Sequence, residues 1–298
     1  MDLVGILFNM KGLIISSGDV DYLQVSIILG LKDILGTDVE DINHHHYLYQ
    51  NSGVDTNNIW GKGFSYTNIL NPKLYKPATE LQEKINSNYY DFFIFTSISR
   101  NYSLLETILE KTNGKNVFLL NGEDLPERLE FYNDKCLYFK RELNYKKYKN
   151  LYPINFSLHE SKFWEKEVIK SQEISDSIPS MNNLTPISSS KYIFNNEQDY
   201  YNNYPKSKSG LTMKKAGWDS MRHYEILANK CLPIFENISQ CPEFTLNKLP
   251  KKMLVDIEKN YKKMSNNNYK ELSNEIFEYS KINLTTRANA QYLLNFII

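Results

Sequence analysis

Lys214 and Lys215 stand just ahead of Asp219 and Ser220, either of which can cap a helix that then carries Arg222, His223 and Glu225. Cations placed beside the free N–H groups and positive end of a helix attract phosphate, and a carboxylate on that helix can accept a pair of sugar hydroxyls. The segment KKAGWDSMRHYEILANKCLPIF, Lys214 to Phe235, therefore reads as a pocket for a nucleotide diphosphate in a strand-turn-helix-strand unit. The same residues also fit an ordinary amphipathic helix. Positions 221, 224, 225 and 228 share one face, so Met221, Tyr224 and Ala228 can bury while Arg222 and Glu225 form a surface ion pair worth only ~0.3–0.5 kcal/mol.

Such a unit needs a scaffold. The 298 residues exceed the usual single-core size, and a 41% hydrophobic share supports packed cores. Apolar runs at Leu13–Ile15, Phe92–Phe95 and Val117–Leu120 alternate with helical spacing over Tyr22–Leu35, which ends at Gly36. This is α/β grammar with parallel strands, and runs that close on Ser16-Ser17-Gly18-Asp19 and Asn121-Gly122-Glu123-Asp124 place functional residues at strand carboxyl ends. Lys and Tyr crowd Asn144–Asn150 and Tyr152-Pro153 then breaks the pattern, so a crossing between two lobes is expected there, dividing the chain into 1–155 and 156–298. Beyond an irregular polar region, Ser171–Ser190, strands are expected in the KYIF segment at Lys191, near Gly210–Met213 and at Cys231–Phe235, with a Tyr-rich helix from Glu197 and another after Asp219. In the final helix Ala288, Tyr292, Leu293 and Phe296 lie on one side, suited to packing on a lobe, with a return to the first lobe as one arrangement.

Composition narrows the partners. With 35 basic and 35 acidic side chains there is no global attraction for DNA or an anionic membrane, so any anion site must be local. No apolar run approaches the length of a membrane span, and the start of the chain lacks a basic leader and has Asp2, so neither a span nor a signal peptide is expected. Three cysteines without metal spacing suit free thiols in a reducing compartment, which places the protein in the cytoplasm.

Arg222, Glu225, Cys231 and Pro233, an Arg-x-x-Glu helix followed by a Cys-x-Pro strand, resemble the carboxyl-terminal lobe of GT-B glycosyltransferases of the spore-maturation-type, group-one family. DYLQVSIILGLKDILG, WGKGF, GEDLPERL, YFKREL and NNEQDYYNNYPKSKSGLTMKKAGWD are similar to pieces of the same family, over most of residues 13–254. The resemblance implies two Rossmann-like lobes facing each other across a cleft, with a nucleotide-diphosphate sugar, a UDP-sugar first among them, as co-substrate and no other cofactor. It implies that Glu225 binds the ribose hydroxyls, that Lys214, Lys215 and Arg222 hold the diphosphate, and that Asp219 and His223 belong to the same donor-binding set. The leaving diphosphate gains negative charge, so fixed cations stabilise the transition state more than the ground state, and no metal is required.

Two positions depart from that pattern. Gly217 stands where retaining relatives often carry an acid. Lys230 stands where a glycine usually follows the helix, and a left-handed residue there costs roughly 1 kcal/mol.

A single-displacement reaction also needs a base on the first lobe, for which Asp19, Asp21 and Asp124 are candidates, each equally readable as a cap or turn residue. His44, His45 and His46 cannot all face one metal and are expected in an exposed turn. Gly61-Lys62-Gly63 is a weak phosphate-loop match, expected as a cleft loop, and Lys140-Arg141-Glu142 is expected as a solvated helix end beside a hinge near Pro153. The acceptor expected is a glycan-type hydroxyl, with a hydroxymethylated DNA base as the alternative. A non-catalytic nucleotide or glycan sensor is the competing class.

Overall fold

The computed structural model describes residues 10–167, 169–176 and 194–297. Six strands, β1 (Gly12–Ile15), β2 (Val39–Asp41), β3 (Phe92–Phe95), β4 (Val117–Asn121), β5 (Leu137–Lys140) and β6 (Leu151–Pro153), form a parallel sheet in the order β2-β1-β3-β4-β5-β6. β1, β3 and β4 are buried along their whole length, which is why they read as unbroken apolar runs rather than alternating ones. The strand order reverses between β1 and β3, where loops leaving the carboxyl ends part to opposite faces and open a crevice.

A second parallel sheet holds β7 (Gln172–Ile174), β8 (Ser207–Met213) and β9 (Leu232–Glu236). Helix α4 (Glu197–Lys206) links its first two strands, and α5 (Met221–Leu227) links its last two. The fold is thus α/β with two parallel sheets. The expected strand at KYIF falls on residues 191–193, outside the described ones, as does most of the polar region before it; Phe194 packs against Tyr200 with ring centroids 5.7 Å apart.

Helix α1 spans Tyr22–Leu35, capped by Asp21 and stopped by Gly36 at φ 58°, whose N–H reaches the Lys32 carbonyl. Helices α2 (Leu81–Asn86) and α3 (Leu105–Thr112) follow within the first half; α6 (Lys251–Asn260), α7 (Asn266–Asn283) and α8 (Thr286–Leu294) close the chain. The last of these lies on α1. Gly30 permits the approach, because a Cβ there would run into the Thr286 carbonyl. The buried face of α8 is Thr286, Asn289, Ala290, Leu293 and Leu294. The expected face is therefore rotated: Ala288, Tyr292 and Phe296 are half-buried, with Tyr292 and Phe296 edge-on to Phe139 at 5.8 and 5.3 Å.

Leu151–Pro153 is not a break but the edge strand β6, a place where proline's missing N–H costs nothing. Residues 154–158 beyond it are buried, and the Phe156 N–H donates to Asp219 Oδ2 at 2.7 Å. One hydrophobic cluster runs from Ile14, Leu23 and Phe118 through Phe156 to Trp218, Tyr224, Phe235 and Leu254, so both sheets share a core. Among the described residues no helix is long and apolar enough to cross a membrane.

Candidate functional site

A cavity of about 610 Å³ lies where the carboxyl ends of the first sheet meet the start of α5. From the first sheet come Asp21, Arg100, Glu123, Asp124 and Arg141; from the second come Lys215, Gly217, Asp219, Arg222 and Glu225.

Asp21 is buried at the cavity wall, its Oδ1 accepting the Gln24 N–H at 3.0 Å and its Oδ2 lying 3.7 Å from Arg100 Nη1. Capping and cavity lining thus fall on one carboxylate. Burial raises its pKa, partly offset by the Gln24 N–H and by Arg100 and Arg141. Its loop is held by the fully buried Gln24, which accepts from the Ser17 N–H at 2.7 Å and donates to the Asp19 carbonyl at 3.0 Å. Asp19 itself has an exposed side chain and does not line the cavity. Asp124 does line it, but is exposed and ion-paired with Arg141.

The Lys140-Arg141-Glu142 cluster is not a solvated helix end. It closes β5, and all three side chains are buried. Arg141 donates through Nε to the Gly122 carbonyl at 2.8 Å, through Nη1 to Glu142 Oε1 at 2.8 Å and the Asp219 carbonyl at 2.9 Å, and through Nη2 to Asp124. Burial opposes its charge, but Asp219, Glu142 and Asp124 outweigh that and hold its pKa above the usual value. Lys140 donates to Asn121 Oδ1 at 2.8 Å and to the Glu123 carbonyl at 2.7 Å, and burial pulls its pKa down to about 8. The carboxyl-end position after an apolar run was the available signal for Arg141, masked by reading the charges as a surface run.

Gly217 acquires a local reason. A Cβ there would come within 2.5 Å of Glu142 Oε1 and 2.6 Å of Asp124 Oδ1, so acids from the first sheet occupy the space of a side chain at 217. Asp219 is likewise bound inward: its carboxylate accepts from the Phe156 N–H and from Tyr224 Oη at 2.8 Å, while its own N–H donates to Glu142 Oε1 at 2.9 Å. Burial pushes its pKa up to about 7 against the pull of Arg141 and these donors. It ties the halves together and reaches the cavity only at its wall. The helix cap is Ser220, without a side-chain hydrogen bond to the first turn.

On the second wall the structure separates the expected donor-binding residues. Lys215 is exposed at the cavity, its pKa lowered by lost hydration and by Arg222, whereas Lys214 lies over the Trp218 ring at 5.3 Å and does not line it. Arg222 is half-buried and lines the cavity. His223 points elsewhere: Nε2–H donates to the Trp218 carbonyl at 2.7 Å and Nδ1 accepts from Thr212 Oγ1 at 2.8 Å. Fully buried, it is pulled down to about 4 and stays neutral.

Glu225 lines the cavity with its carboxylate accepting from Ser65 Oγ on one oxygen and Tyr200 Oη on the other. Tyr201 Oη donates to Ser65 Oγ at 2.8 Å, and Tyr200 and Tyr204 hydroxyls lie 3.0 Å apart. Burial raises the Glu225 pKa, against Ser65, Tyr200 and Arg222. Each carboxylate oxygen has two acceptor sites, so one per oxygen remains for a ligand hydroxyl. Ser65 arrives from the β2–α2 connection through Gly61, Lys62 and Gly63, with φ of 63°, 54° and 70°, and Lys62 Nζ donates to the Phe194 carbonyl at 3.0 Å. The Gly-Lys-Gly turn therefore carries the first half over to the second, and only Gly61 of the three lines the cavity. Lys230 takes the left-handed conformation, φ 52°, where a glycine would carry no steric cost.

Other candidates fall outside the cavity. His44 and His46 are exposed against Tyr75, but His45 is buried and held down to about 4, so that turn is only partly solvent-facing. Asp33, His159 and Glu160 are the described residues closest to a metal-ligand group, yet His159 already offers Nε2 to Asp33 at 2.8 Å and Nδ1 to Ser161 at 2.8 Å. The three cysteines are free, and burial pushes their thiols up to about 12. Comparison with protein-family models and with curated proteins gives no match.

Proposed function

We propose that the protein is a two-lobed, GT-B-like glycosyltransferase that takes a nucleotide-diphosphate sugar into the inter-sheet cavity. The observation that carries this is the meeting, in one cavity, of a buried carboxylate from each sheet, Asp21 and Glu225, with Lys215 and Arg222. In this reading Glu225 accepts the ribose hydroxyls through its remaining lone pairs, while Lys215 and Arg222 face the diphosphate. Asp21 takes the proton from an acceptor hydroxyl as its oxygen bonds to the anomeric carbon. The bond from that carbon to the diphosphate oxygen breaks, and the leaving group's charge is met by fixed cations. The raised pKa of Asp21 favours this role, since a base works best with a pKa near the operating pH. Lys214, His223 and Asp219 have structural duties instead. A glycan-type hydroxyl is the acceptor that fits a chain with balanced charge.

The test is turnover of a panel of UDP-, GDP- and dTDP-sugars, read as release of free sugar or transfer to added glycans. Asp21→Asn should keep the helix cap, because asparagine caps as well as aspartate, and lose about 10²–10⁴-fold in rate. Saturable binding without turnover in the wild type would instead favour a sensor.

A further inference from the structure

A second cavity, of about 530 Å³, lies behind α5 and shares no lining residue with the first. Among the described residues, five lysines line it against one carboxylate, and one of the five, Lys208, is paired with Glu173 at 2.7 Å beside it. Lys166 and Lys270 are exposed, whereas Lys170 is half-buried with its ammonium donating to the carbonyls of Lys230 at 3.0 Å and Asn229 at 3.3 Å. So concentrated a positive charge in a concave site calls for an anion.

Two further groups say that the anion is not bare. Asn229 is fully buried, and its Nδ2 donates to the Glu225 carbonyl at 2.7 Å, yet its Oδ1 has no hydrogen-bond partner. The Trp164 Nε1–H is buried and equally unpartnered, while its backbone N–H is fixed to the Ala228 carbonyl at 2.8 Å. A buried acceptor and a buried donor left unmade are each costly, and both residues line this cavity. A ligand satisfying both must carry a hydroxyl and an acceptor oxygen. An indole beside them offers the apolar face on which a sugar ring rests.

We propose that this cavity binds a phosphorylated monosaccharide, its phosphate among the lysines and its ring against the Trp164 indole, with Asn229 Oδ1 and Trp164 Nε1–H, both covered in this structure, uncovered for its hydroxyls by a shift of the side chains over them. This site is separate from the transfer cavity and does not depend on the role given to that one.

The full chain is titrated with glucose 6-phosphate, glucose and inorganic phosphate, followed by calorimetry and by tryptophan emission. Glucose 6-phosphate should saturate, inorganic phosphate should bind more weakly, and glucose should show no saturation. The double variant Lys166→Glu/Lys270→Glu, altered only at exposed positions, should weaken glucose 6-phosphate about tenfold or more, because it removes two cations from the rim and puts two anions in their place. Trp164→Phe, which keeps a ring but removes the N–H, should weaken it several-fold while sparing inorganic phosphate. Lys215→Ala should leave it unchanged. The proposal is overturned by no saturation at millimolar glucose 6-phosphate, by affinity indifferent to both variants at this cavity, by equal affinity for inorganic phosphate, or by loss of binding in Lys215→Ala.

Discussion

The two walls of the inter-sheet cavity are built in opposite ways. On the first-sheet wall every cation is committed to protein: Arg141 to Glu142, Asp124 and two carbonyls, and Arg100 to Glu123 and Asp21. On the second wall Lys215 stands exposed at the rim, and Glu225 is the acidic side chain that faces the cavity from α5. A guanidinium already answered by carboxylates has little field left for a ligand, whereas a rim cation can meet an arriving phosphate. In the proposed transfer reaction the first wall fixes geometry and a base, and the second supplies charge for a leaving group.

Removing Arg141 should break this contrast most severely. Arg141→Ala leaves Glu142 and Asp124 without their shared cation and strips a donor from the Asp219 carbonyl, so denaturant unfolding should show a loss of about 3–5 kcal/mol, as for other broken buried ion pairs. A loss under 1 kcal/mol would mean the wall is not held by this residue.

A smaller effect comes from Asp219. Its folded pKa, about 7, lies above the unfolded value, so the folded state binds the extra proton between about pH 4 and 7 and stability falls as pH rises through that window. Asp219→Asn should flatten that part of the stability–pH curve relative to wild type, read by thermal unfolding at a series of pH values. Smaller again is the rim. Lys215→Ala should weaken nucleotide-sugar binding several-fold, and more at low salt, while Lys214→Ala, stacked on Trp218, should leave it unchanged. Equal effects would erase the distinction between the two lysines.

Much of this was legible in the chain itself. β1, α1, β3 and β4 follow directly from apolar runs and helical spacing, because strands buried on both faces and a long capped helix carry their signals locally. Glu225 was legible as an acid on a helix and Asp21 as an acid that opens one. What the sequence hid is what tertiary contact decides. Nothing local says that Lys140-Arg141-Glu142 is buried, that Ser65 crosses to Glu225, or that His223 turns its ring to Thr212 and Trp218. The edge strand β6 was obscured by Pro153, which weakens a strand signal in sequence yet is tolerated at an edge. The rotation of α8 arises from the Gly30 contact with Thr286, a pairing of residues far apart in the chain.

The most direct measurement is calorimetric titration of UDP-glucose, with GDP- and dTDP-sugars beside it, into wild type and Glu225→Gln. The substitution preserves shape but replaces an acceptor oxygen with a donor, so a folded variant, checked by thermal unfolding, should bind at least ~10-fold more weakly than wild type. Undiminished nucleotide-sugar affinity in a folded Glu225→Gln protein would contradict the assignment of this carboxylate, and with it the cavity's role in holding the donor.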